Sequence, residues 1–121
     1  MKWPKPLLII ILLPLYFLSC DSKPYPHVLQ LADSLTNICP DSAIVLLKQI
    51  KDSASQESKE TQMYYQLLTI KAKDKAYITH TSDSLMLEVL HYYEKKKDKK
   101  YLPEAYYYAG RVYRDLGDAP Q

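Results

Sequence analysis

Apolar residues along the chain recur at helical spacing, and prolines and polar clusters interrupt them. Val28, Leu31, Leu35 and Ile38 fall on one face of a first predicted helix. Pro40 stops that run, because proline pushes the residue before it out of the helical region. Asp41 or Ser42 then caps a second helix, with Ala43, Leu46, Leu47 and Ile50 as its stripe. Residues 52–60 are polar and Ser-rich and read as a loop. A long helix is predicted over 61–78, followed by a break at 80–82. Ser82 or Asp83 caps a fourth helix, striped by Leu85, Val89 and Tyr92. Pro103 opens a fifth, as proline does in a first turn, and Gly117 ends it. Period-two alternation is nearly absent, so the expected fold class is all-α.

The first nineteen residues follow another pattern. Lys2 and Lys5 precede an apolar run from Leu7 to Leu18, and Ser19 and Cys20 close it. A basic start, a short apolar stretch and a small residue before the cut describe a secretory signal. The run is too short to cross a bilayer, which takes about 20 residues. Phe17-Leu18-Ser19-Cys20 resembles the lipobox of bacterial lipoproteins, whose cysteine is acylated and becomes the new N-terminus. That resemblance divides the chain into a signal at 1–19, a tether at 20–26 and a helical region at 27–121. It implies a lipid anchor at Cys20 and a place in the cell envelope, on the periplasmic or cell-surface side. Of the two cysteines, Cys39 is then left without an intrachain partner and reads as a small core residue.

Self-similarity at a fixed offset organises the rest. Met63-Tyr64-Tyr65 and Ala105-Tyr106-Tyr107 lie 42 residues apart, as do Ile70 and Val112, and Asp41-Ser42 and Asp83-Ser84. Two helices per period of this size predict an array in which each hairpin buries its apolar face on the next. Glu104 to Asp118 resembles a tetratricopeptide repeat: an aromatic, a small residue and Gly, a Tyr three further on, then Gly-Asp. In that pattern Tyr106 and Tyr113 supply packing surface, Ala109 and Gly110 admit a neighbouring helix, and Gly117-Asp118 turns the chain. The resemblance implies antiparallel hairpins stacked as a solenoid, with about two and a half repeats of 42 residues. The period exceeds the family's usual value of about 34, and Lys71 stands where the third unit has Tyr113. The third repeat is incomplete, so its open helix is expected to self-associate, and the chain reads as a fragment of a longer protein.

Composition adds mainly exclusions. The whole chain carries 16 Lys and Arg against 14 Asp and Glu. Removing the signal removes Lys2 and Lys5, which leaves 14 against 14 and takes away electrostatic support for nucleic acid. His27, His80 and His91 show no metal-ligand spacing, so no metal is expected. The two glycines, Gly110 and Gly117, cannot form a phosphate loop. No serine sits in a nucleophile elbow, and neither an enzyme nor a cofactor is expected. Lys95 to Lys100, broken only by Asp98, reads as a solvated helix end favoured by the helix dipole, with anionic headgroups or nucleic acid as the alternative partner.

The resemblance implies that the first helix of each unit lines a concave surface. Its outward stripe is Tyr107, Arg111 and Arg114 in the third unit. In the second it is Tyr65, Thr69 and Ala72, with Lys73 beside them. An aromatic and cationic groove suits an acidic or extended peptide. The expected function is a non-enzymatic, lipid-anchored scaffold for protein–protein interaction. The alternative comes from similar lipoproteins in which repeats precede a membrane helix and a DNA-binding domain: the periplasmic input of a longer regulator. A sugar-capture role would need an exposed Trp, and Trp3 lies in the signal.

Overall fold

A computed structural model describes residues 25–117. The predicted signal, Cys20 and the first part of the tether lie outside the described residues. Six helices follow in order: α1 (His27–Ile38), α2 (Pro40–Gln49), α3 (Lys51–Ala54), α4 (Lys59–Lys75), α5 (Ser84–Lys96) and α6 (Leu102–Asp115). No strand occurs among the described residues, and the all-α class holds.

The punctuation follows local chemistry. Pro40 takes the first position of α2, where its missing N–H costs nothing. Ser58 caps α4 by accepting from the Thr61 N–H at 3.3 Å. The predicted loop at 52–60 therefore overlaps the one-turn α3 and the start of α4, and Ala54 is buried there. α4 ends at Lys75 rather than near 78. Tyr77 is left-handed (φ 62°), its N–H reaches Asp74 O, and the Ile78 N–H reaches Lys73 O. That pair of bonds is a Schellman closure. Lys97 (φ 53°) closes α5 in the same way, and Gly117 (φ 80°) follows α6.

Two apolar clusters build the body. One joins Leu29 and Ala32 of α1, Ala43 and Leu47 of α2, and Tyr64, Tyr65, Leu68 and Ala72 of α4. The other joins Met63, Leu67 and Ile70 of α4, Met86, Val89 and Tyr93 of α5, and Ala105, Tyr108, Ala109 and Val112 of α6. α4 is thus buried on two faces, each against a different helical pair. Leu67 alone, fully buried, contributes on the order of 2 kcal/mol of apolar burial.

Several expected faces are rotated. α1 buries Leu29, Ala32 and Thr36, whereas Leu31 and Ile38 (80% exposed) face outward. Small Ala32 and Ala43 sit in one cluster and let α1 and α2 pack closely. Thr36 can join them because its hydroxyl donates to Asp33 O at 2.6 Å. α5 buries Met86, Val89 and Tyr93, with Leu85 and Tyr92 only partly covered. Cys39 is not a core residue. It is the extended, exposed link between α1 and α2, with its Sγ 3.1 Å from Ser42 Oγ. That contact holds its thiol below the usual range.

The 42-residue correspondence describes one face of the packing: Met63 and Ala105, Leu67 and Ala109, and Ile70 and Val112 are all buried in one cluster. Tyr64 is buried, but Tyr106 is half exposed and donates its hydroxyl to Glu94 at 2.7 Å. Gly110 admits no neighbour, since a Cβ there would meet nothing within 4 Å. The burial pattern of α4 reappears in α6 forty residues on: Tyr65, Leu68 and Ala72 match Ala105, Tyr108 and Val112. The helix ends Lys75 and Asp115, and the left-handed Tyr77 and Gly117, share that offset. In the same register Met63, Leu67 and Ile70 match Pro103, Tyr107 and Gly110, which are exposed.

Candidate functional site

Three of the six residues picked from the sequence line one groove. Tyr65, Thr69 and Lys73 follow each other along α4, opposite Ile44, Leu47 and Lys48 of α2. Lys51, Ala54, Ser55, Gln62, Gln66 and Leu85 complete a groove of about 470 Å³. Tyr65 is its floor, not an outward contact. Its ring is buried and its hydroxyl donates to Leu47 O at 2.7 Å, which ties α4 to α2. Burial raises its phenol above the usual range. Thr69 returns its hydroxyl to Tyr65 O at 2.9 Å. Lys48 and Lys51 are exposed on the rim, and Lys73 is half-buried. None of the lining residues is acidic, although Asp52 lies close enough to act on Tyr65.

The other three residues stand apart on α6. Tyr107 is 60% exposed, with its ring edge against Tyr108. Arg114 pairs with Asp115 at 3.6 Å. Arg111 donates its Nε to both carboxylate oxygens of Asp74 at 3.1 Å. The two stripes, matched by the 42-residue offset, differ in exposure: Tyr65 is buried against α2, whereas Tyr107 is open to solvent.

Arg111 leads to a group that spacing in the sequence did not reveal. Asp74, His80 and Asp115 bring their ligand atoms within 4.8 Å of one another. His80 Nε2 lies 3.3 Å from Asp74, and the His80 backbone N–H donates to Asp115 at 2.9 Å. That backbone bond holds the Asp115 carboxyl below its usual range. The Asp74 contact holds Arg111 firmly protonated. A metal ion here would have to displace Arg111 from Asp74, so the group serves as a clasp between the 76–83 connection and α6. Only the long chain separations, 35 and 37 residues, hid it from the sequence.

A second polar tie crosses three helices. Lys71 reaches Asp33 of α1 at 3.4 Å and Glu104 of α6 at 2.8 Å. Burial pulls its ammonium down, but Glu104 and then Asp33 outweigh it and hold the pKa above normal. Tyr64 donates its hydroxyl to the same Asp33 at 2.9 Å.

No protein-family model, curated protein or solved structure matches the chain.

Proposed function

We propose that this protein is a lipid-anchored scaffold of stacked, tetratricopeptide-like helical pairs that binds an extended acidic segment of a partner protein. It acts by binding and not by catalysis, from the cell envelope, where acylated Cys20 holds it. The observation that carries this reading is the groove along Tyr65, Thr69 and Lys73. Its floor is apolar, three ammonium groups edge it, and no carboxylate lines it. Such a surface attracts carboxylates and rejects cationic segments. The stacking supports the repeat reading: α4 is covered on one face by α1 and α2 and on the other by α5 and α6. The counterpart face of α6, with Tyr107 and Gly110, is uncovered and offers a seat for a second copy.

A photoreactive residue at Gln66, in the acylated chain within intact cells, tests the groove. A discrete adduct with an acidic partner segment is expected. Lys48→Glu with Lys51→Glu removes it, because both lysines are exposed and neither supports the core. An adduct that survives the charge reversal, or that forms equally from Leu31 on the far helix, counts against the groove.

A further inference from the structure

The described chain enters the helical body at Tyr25. Its ring stacks on Tyr64 at 4.1 Å and 16°, and meets the edge of Tyr101 at 6.2 Å. Tyr101 also packs on Tyr64 at 5.3 Å and Tyr93 at 5.6 Å. Tyr101 ends the connection from α5 to α6, and that connection carries Lys97, Lys99 and Lys100 of the Lys run. The incoming segment and the basic run are therefore neighbours, although Tyr25 and Lys95 are 70 positions apart in the sequence.

Lys95, Lys96, Lys97, Lys99 and Lys100 are all exposed. The helix dipole accounts for Lys95 and Lys96 in the last turn of α5, but not for the three cations beyond it. Aromatic faces support two of the five: Lys96 lies 5.8 Å from the Tyr92 ring and Lys100 lies 5.2 Å from Tyr101. The nearby carboxylates are engaged. Asp98 accepts the N–H groups of Lys100 and Tyr101 at 2.9 and 2.8 Å. Glu94 accepts from Tyr106, and Glu60 from Tyr25 at 3.4 Å. These bonds come from neutral donors and leave the three negative charges in place, so five ammonium groups face three carboxylates and this end is net positive.

Five residue steps separate Tyr25 from Cys20, and a polypeptide covers at most about 18 Å in that span. We propose that the α5–α6 connection is the membrane-facing surface of the protein. Its three lysines, with Lys95 and Lys96 at the end of α5, bind the anionic headgroups of the bilayer that holds Cys20. The proposal rests on the lipid-anchor reading. Basic residues beside an anchor act as a second attachment to anionic lipid, with a strength that salt reduces. The lysines and the tether pin the body at two adjacent points and fix its orientation on the membrane.

The test uses the full acylated chain reconstituted into vesicles. One set is phosphatidylcholine alone and the other contains phosphatidylglycerol as well. An amine-reactive reagent is applied, and the labelling of each lysine is read by mass spectrometry against Lys48 and Lys51. Slower labelling of Lys95 to Lys100, by several-fold, is expected only with phosphatidylglycerol, with recovery in high salt. Lys97→Gln, Lys99→Gln and Lys100→Gln together should restore fast labelling of Lys95 and Lys96. Equal labelling in both vesicles, with the chain still floating with them, overturns the surface and leaves the anchor standing. A chain that does not float with phosphatidylcholine alone overturns the anchor, and this proposal with it.

Discussion

Tyr93 is the largest of the fully buried side chains described, and its hydroxyl has no hydrogen-bond partner among the described residues. Burial raises its phenol well above the usual range, so the group stays neutral at any physiological pH. A buried, unsatisfied hydroxyl costs about 1–3 kcal/mol. Tyr93→Phe keeps the ring contacts with Tyr92 and Tyr101 and removes that cost. The substitution is expected to raise unfolding stability by about 1 kcal/mol in a urea titration. A loss of stability would mean that the hydroxyl is solvated. Tyr65 and Tyr64 are the contrast, since each donates to a fixed acceptor across a helix boundary.

The helices themselves carry the clearest lesson in reading the chain. Pro40, Pro103 and Gly117 marked their boundaries correctly because proline and glycine act locally, whatever the tertiary context. Faces were less legible. Periodicity ranked Leu31 and Ile38 above Ala32 and Thr36, but close approach between α1 and α2 favours small side chains. The groove was half legible: Tyr65, Thr69 and Lys73 share it, yet Lys48 and Lys51 come from another helix. The end of α4 was hidden because a tyrosine fills the left-handed position that glycine normally marks. Tyr77 is 92% exposed, so its side chain offers little in return for that conformation. A left-handed non-glycine residue costs about 1–2 kcal/mol, partly offset by the extra freedom of glycine in the unfolded chain. Tyr77→Gly is therefore expected to stabilise the protein by roughly 0.5–1 kcal/mol. An unchanged or lower thermal midpoint would show that Tyr77 holds a contact of its own.

At the scale of the whole molecule, α4 belongs to both apolar clusters, so neither helical pair has a complete core without it. Leu67 lies in the cluster with α5 and α6, on the face turned away from α1 and α2. Leu67→Ala should lower stability by about 3 kcal/mol. The loss should show equally in the hydrogen-exchange protection of α1 and α2, which Leu67 does not join. Protection that falls only in α5 and α6 would mean two units that open separately.

Lys71 has a mechanical consequence. α1 and α6 have no packing contact of their own, yet one ammonium group holds a carboxylate from each. It works as a strut between the outer helices. Neutralising it, by acylation or by Lys71→Met, would free Glu104, leave Asp33 held by Tyr64 alone, and let the outer helices part. The separation of the two outermost helices is then governed by a single side chain of the helix between them.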